Sequence, residues 1–393
     1  MITTQSAKEC KSATEMLERA ARVAQFYGFI PFENAPKGEI GVVSGRTTKL
    51  DTKDISFSRA QERMLVSAVK VCAVQGLGDK RMPVLLYRLM PGEKGTATAL
   101  ELHAIGIPDA IAEGLLIAVS DAIAGDVGIA KRVVHINSIG SSESSARYAR
   151  DLGVFLRKYS EDFPTHLKQR LPADPIGVLL NLAEKGHPQL NRAPVSMDYL
   201  NEEERRHFWD VLEYLELSGN FYELNPLVLG SRDCWAHTLF EVSSVDEETG
   251  IRTPFARGGR YDALAGRCVG AGASAVTVSI VLDTKVPAKL KRYNPSPSVY
   301  FAHLGKEARR RTLPALELLR RAEIPVHQSL AYEQLAPQMA DAKRLNVPWL
   351  LVMGHKEAMD GTMIVRDVRT NFQESVLLPE LPGYLRRRRV GVS

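Results

Sequence analysis

Residues 223–264 carry the side chains best suited to chemistry. Asn225-Pro226-Leu227-Val228 is followed by Thr238-Leu239-Phe240-Glu241 and then by Gly258-Gly259-Arg260-Tyr261-Asp262-Ala263-Leu264. Paired glycines let backbone approach a ligand closely, and the Tyr261 hydroxyl beside them can hydrogen-bond an imidazole or another ring. Gly258, Gly259, Arg260 and Tyr261 are therefore candidate ligand-binding residues. A blander reading competes, in which Arg260 and Asp262 pair with each other in a tight turn and hold the core. Cys10, Cys72, Cys234 and Cys268 are far apart and form no CxxC pair, so neither a zinc site nor a disulfide framework is expected.

These residues need elements to hold them. Leu17, Ala20, Ala21, Ala24 and Tyr27 recur near helical spacing over residues 7–27, and Gly28 is a natural stop. A second helix is expected over 59–77. Pro83 to Arg88, Leu100 to Ile105 and Arg132 to Asn137 read as strands, with a helix over Ala110 to Ala124. Residues 164–220 are rich in helix formers and carry two caps, Asp174 before Pro175 and Asn201 before Glu202-Glu203-Glu204, which predicts an inserted helical module. A hairpin-like turn is expected at Glu247-Glu248-Thr249-Gly250, and Asn294-Pro295-Ser296-Pro297-Ser298 has linker composition. Beyond it, strands alternate with helical stretches: 299–301, 308–322, 334–345, 349–353 and 363–368. That pattern predicts a small α/β domain with a partly parallel sheet.

The 393 residues are 45% hydrophobic and 25% charged, the composition of a globular protein with a large core and one or two smaller domains. No membrane span is expected, and the opening residues lack the apolar stretch of a secretory signal, so a cytoplasmic protein is expected. Residues 295–393 hold 15 Lys+Arg against 10 Asp+Glu, so the whole +5 excess lies there. Arg309-Arg310-Arg311 and the run Arg386 to Arg389 suit phosphate contact or, more plainly, a solvated helix face and tail. No aromatic interleaving in the sequence supports base stacking.

The ordered segments resemble the histidyl-tRNA synthetase family over most of the chain. Besides the 225–264 run, the resemblance rests on Tyr27-Gly28-Phe29 with Pro36, on Val134 to Gly140, on Asp174-Pro175-Ile176 with Asp198-Tyr199-Leu200 and His207-Phe208, on Gln338 to Arg344, on Val347 to Gly354 and on Gly361 to Asp367. It implies an α+β fold: a class II aminoacyl-tRNA synthetase core (antiparallel sheet with helices) over 1–163 and 221–293, a helical insertion over 164–220, and a C-terminal α/β anticodon-binding-like domain over 298–393. It also implies a homodimer, with tRNA or a related RNA and histidine as partners. Lys343, Arg344, Arg366 and Arg369 become the RNA-binding candidates, Asp233 and Glu241 join the ligand-binding candidates, and Arg88 and Arg232 become the candidate catalytic cations.

The same resemblance exposes a deficit. Amino-acid activation needs preorganised arginines and magnesium around a reacting triphosphate. Where the family's motif 3 has its ATP-binding arginine, this chain has Thr284, after Leu282-Asp283. Arg232 stands two positions from the family's arginine, roughly 7 Å along an extended chain. In Tyr87-Arg88-Leu89-Met90-Pro91, Met90 replaces a glutamate; the following loop from Gly92 to Ala99 is short and lacks arginine; and the histidine-binding positions fall on Ala99 and His103. Removing one such charge-stabilising group costs about 3 kcal/mol in the transition state. Aminoacylation is therefore not expected, and no cofactor is, whereas an active histidine-tRNA ligase would need ATP and magnesium. Three other readings stay open: that active ligase, a regulatory subunit of ATP phosphoribosyltransferase, and an accessory subunit of a nucleic-acid polymerase.

Overall fold

A computed structural model describes residues 13–32, 68, 83–91, 97–269, 272–282, 297–330, 332 and 334–388. The expected helix over 59–77 lies outside them except for Ala68, as do Asp283, Thr284 and Arg389. Two sheets organise the chain. The first has eight strands in the order β1-β2-β3-β8-β7-β6-β4-β5: β1 Ile30–Pro31, β2 Val84–Pro91, β3 Thr98–Ile105, β4 Arg132–Ser138, β5 Tyr222–Leu224, β6 Ala236–Val245, β7 Arg252–Arg260 and β8 Ala275–Leu282. Its pairings are antiparallel except at the two edges, where β1 runs parallel to β2 and β5 to β4.

Period-two patterning decides what each face meets. Leu100, Leu102 and Ala104 of β3, Val276, Val278 and Ile280 of β8, and Phe240 and Val242 of β6 belong to the core cluster that holds helix α2, Ile111–Asp126. That helix is buried almost all round and packs in turn against α1, Ala13–Phe26, and against α6, Glu202–Leu217. Gly114 makes the junction with α6 possible: a Cβ there would lie 2.8 Å from Cβ of Tyr214 and 3.2 Å from Cδ1 of Leu313. The opposite face is apolar at one end, where α3, Ser142–Arg157, and α5, Pro175–Glu184, cover Leu86, Ile105, Leu239 and Ala275.

Residues 164–220 are largely helical, and both expected caps form. Asp174 accepts from the Gly177 N–H at 2.8 Å, and Asn201 and Glu204 make a reciprocal capping box. These helices do not stand apart from the core: α6 contributes Phe208, Val211, Leu212 and Leu215 to the main cluster, and α5 contributes Ile176 and Leu179 to the second.

The C-terminal sheet has the order β10-β9-β11-β12-β13, with β9 Val299–His303, β10 Val326–Gln328, β11 Trp349–Met353, β12 Thr362–Asp367 and β13 Gln373–Leu377. The first three are mutually parallel and the last two antiparallel, the partly parallel sheet expected. The helix anticipated over 308–322 forms as α8, Lys306–Arg310, and α9, Thr312–Arg321, broken at Arg311. α9 lies on α2, so one hydrophobic cluster runs from Met16 and Leu115 to Leu316 and Leu351. Polar contacts reinforce the seam: Tyr27 donates to Glu317 at 2.7 Å, Arg320 reaches Asp126 at 2.9 Å and Arg309 reaches Asp109 at 2.7 Å.

Candidate functional site

The register of the large sheet lines up one polar rung. Arg88, Glu101, Ser279, Arg257, Glu241, His135 and Glu223 are successive cross-strand partners from β2 to β5, and so project from one face. The charges alternate along it and neighbours close on one another. Arg88 Nε lies 2.7 Å from Glu101 Oε2, both nearly buried; Arg257 Nε lies 2.7 Å from Glu241 Oε2; His135 Nδ1 is 3.7 Å from Glu223, which also takes a bidentate grip from Arg252 at 2.6 and 2.9 Å. Burial would raise the Glu101 pKa, but His103 and Arg88 beside it hold it below the usual carboxylate value. Its charge is fixed in place, and among the described residues Arg88, Arg257 and Arg252 each contact a carboxylate of this face.

Arg88 and Glu241, both expected from sequence, meet on this rung; the other candidates go elsewhere. Arg232 and Asp233 sit on an exposed turn, and the Asp233 carbonyl accepts from Arg267. Gly258 and Gly259 do approach other atoms closely, but those atoms are the protein's own. A Cβ on Gly258 would collide with the Thr277 carbonyl and come within 2.8 Å of the Phe240 ring; one on Gly259 would meet the Thr238 carbonyl at 2.6 Å and Trp235 at 3.2 Å. Trp235, 2% exposed, thus covers Gly259 on the polar face, and Tyr261 is buried with Leu264 and Ile139 in the second cluster.

Arg260 turns to the opposite face, against α2. Its Nε and Nη2 donate to Glu113 at 2.8 and 2.5 Å, and further bonds reach the carbonyls of Ile107 and Asp109. His207 closes on the same carboxylate at 2.8 Å. Burial alone would raise the Glu113 pKa, yet Arg260 and His207 draw it down to about 2. The Arg260–Asp262 contact of the blander reading is present at 3.4 Å but is the lesser one. Sequence reasoning missed Glu113 because an acid on a buried helix face has no partner until the sheet brings Arg260 over it. It also missed Glu101, Arg257, His135 and Glu223, although the alternation Leu100-Glu101-Leu102-His103 and Val134-His135-Ile136-Asn137 already marks a polar face.

The RNA candidates come together in the C-terminal domain. Lys343 and Arg344 end α10, Leu335–Arg344, while Arg366 and Arg369 lie at the end of β12 and in the turn after it. Val368 N–H donates to the Pro348 carbonyl, which ties that turn to the loop following α10. The same end also holds aromatic rings, contrary to the expectation from sequence: Arg388 lies 5.5 Å from the Phe372 ring centroid and 5.4 Å from that of Tyr384. Their separation along the chain hid this arrangement.

Known proteins agree with the layout. A family model described as an anticodon binding domain matches residues 299–388. The histidine–tRNA ligase of Bacillus licheniformis is 28% identical over 291 residues, covering 72% of this chain and 68% of the ligase. That of Thermosynechococcus vestitus is 27% identical over 369 residues, covering 89% and 85%. Similar solved structures include the histidyl-tRNA synthetase of Nostoc sp., 18% identical with 95% of both chains covered and a TM-score of 0.42. A Bacillus halodurans protein described as an ATP phosphoribosyltransferase regulatory subunit/histidyl-tRNA synthetase is 18% identical, with coverage of 87% and 94% and a TM-score of 0.42. With a core of mixed sheet and helices, a C-terminal anticodon-binding domain and similarity to histidine–tRNA ligases over most of its length, the chain resembles the histidyl-tRNA synthetases, on a class II aminoacyl-tRNA synthetase-like core.

Proposed function

We propose that this chain is a histidyl-tRNA synthetase-like protein that does not aminoacylate, and that it acts as a cytoplasmic homodimer binding tRNA or a related RNA. The observation that carries this reading is the rung on the large sheet. Arg88 and Arg257 are each closed on a carboxylate at 2.7 Å, and Trp235 fills the space over Gly259. A reacting triphosphate needs cations that are already in place and uncommitted, because a group that must first break an ion pair contributes less to the transition state. Thr284, a hydroxyl where the relatives of this fold are expected to carry an arginine, adds to the deficit. Lys343, Arg344, Arg366 and Arg369 supply the sequence-independent attraction for phosphate that RNA binding requires.

Histidine-dependent exchange between ATP and pyrophosphate tests the first half. No exchange above a protein-free control is expected; clear exchange would establish an active ligase and end this reading. The second half is tested by the salt dependence of binding to an RNA transcript, whose affinity is expected to fall steeply as salt rises. The alternative of a regulatory subunit predicts instead that a phosphoribosyltransferase co-purifies with the chain.

A further inference from the structure

The C-terminal domain places its first strand inside its sheet. β9 pairs with β10 on one side and with β11 on the other, all in parallel, so the chain leaves β9 in one direction and crosses back past it to β11. At such a reversal the connections diverge beyond the carboxyl ends of the strands and leave a crevice for a ligand. The carboxyl end of β9 is His303, followed by Gly305, and it opens on a cleft of about 500 Å³ whose other wall is α6 and the turn before α2. That volume, at a seam between two domains, suits a small molecule.

The inner groups of the cleft are held in place yet left unused. Gln338, fully buried, grips the His303 main chain from both sides: it accepts from the His303 N–H at 3.0 Å and donates to the His303 carbonyl at 2.7 Å. The imidazole is 0% exposed, and neither ring nitrogen has a protein partner among the described residues. Unpaired groups of this kind are costly inside a protein, and a bound molecule relieves them. Burial first, and Arg309 second, keep the ring neutral, so it offers one N–H and one lone pair. Burial also raises the pKa of Tyr214 on the α6 wall, so its hydroxyl stays a donor.

Charge decides the class of molecule. Four basic side chains line the cleft against three carboxylates. Arg309 is closed on Asp109 at 2.7 Å, and Arg310 on Glu213 at 2.7 Å and Asp210 at 3.3 Å. Lys306, 63% exposed, comes no closer than 3.5 Å to the same Asp210, and Arg206 meets Glu202 in a pair open to water, which contributes little. These two cations outweigh Glu203 at the mouth.

We infer that this cleft binds a small oxyanion, with its charged end on Lys306 and Arg206 and its polar end hydrogen-bonded to His303 and Tyr214. The bound molecule bridges the core, through α6, to the C-terminal domain, through the β9–α8 turn. The inference does not depend on the RNA-binding reading. Equilibrium dialysis of the full chain against radiolabelled inorganic phosphate, and separately against radiolabelled glycolate, at fixed ionic strength, tests it. Saturable binding of at least one is expected, and which of them binds tells a phosphate site from a carboxylate site. Lys306→Ala, at an exposed position, should weaken that binding roughly tenfold, and Tyr214→Phe, which removes only a hydroxyl, about threefold. Lys343→Ala with Arg344→Ala, far from the cleft in the sequence of the domain, should leave it unchanged. If neither probe saturates, the cleft holds only water and the inference falls. It falls equally if binding survives Lys306→Ala but is lost in Lys343→Ala with Arg344→Ala, because the anion then sits on the basic residues at the end of α10.

Discussion

Glu113 is where the fold and the family's glycine-rich strand meet, and Glu113→Gln is the sharpest test of what Arg260 does. In the wild type the carboxylate is fully buried and takes two bonds from Arg260 and one from His207. A carboxyl held at about 2 instead of its ordinary 4.5 contributes roughly 3 kcal/mol at neutral pH. Removing one member of a buried ion pair independently costs about 3–5 kcal/mol, because the other charge is stranded. Both routes predict that Glu113→Gln loses about 3 kcal/mol in urea unfolding at pH 7. The sign with pH follows: the contribution is complete above about pH 4.5 and disappears as pH falls through about 2, so the gap between wild type and variant should close over that interval. Replacing both partners, Glu113→Leu with Arg260→Met, should recover much of the loss, since an apolar pair of similar volume avoids burying any charge. A loss under about 1 kcal/mol, or a double variant no better than the single one, would refute the reasoning and return Arg260 to the groups open to a ligand.

Three further outcomes follow from the geometry. Gly258→Ala drives a methyl into the Thr277 carbonyl and should cost about 3 kcal/mol or more; Gly266→Ala, a helix position with nothing within 4 Å of the added atom, should gain about 0.5–1 kcal/mol, both read from urea midpoints. His303 is buried beside Arg309, and burial first and that cation second push its pKa down to about 4, so it is neutral in the fold. Its unfolded form takes a proton near pH 6.5, so stability should fall as pH drops from there to about 4, and His303→Leu should flatten that part of the stability profile. Glu317→Gln weakens the acceptor for Tyr27, Arg320 and Arg321 at the seam between the domains and should cost about 1–3 kcal/mol, with faster amide exchange in α1 and α9 as its signature.

How legible was all this in the sequence? Local chemistry translated well. The caps at Asp174 and Asn201 form as read, because a cap is decided within four residues. Leu100 to Ile105 and Arg132 to Asn137 form β3 and β4 where strands were expected, and the order of motifs pointed to the histidine–tRNA ligases that the chain resembles. What failed to translate was anything set by pairing across the sheet. The glycine pair promised close approach, and close approach is what it delivers, but to Thr277, Phe240 and Trp235, which no local pattern places there. Arg260 looked like a ligand's partner because its true partner, Glu113, lies on a helix that sequence shows only as apolar.

The rung carries the same lesson into function. Read singly, Arg88 and Glu241 are two candidates of uncertain purpose; in register they belong to a row in which Arg88 and Arg257 each face a carboxylate one strand away. Opposite charges placed directly across neighbouring strands stabilise the sheet by themselves. A face that needed to receive a triphosphate would leave such cations unmatched, since every internal ion pair must be broken before the ligand gains anything from it. Among the described residues, Arg88 and Arg257 of the sheet each face a carboxylate, while Lys343 and Arg369 of the C-terminal domain are exposed. That contrast is the ground of the proposal that the chain binds RNA without activating an amino acid.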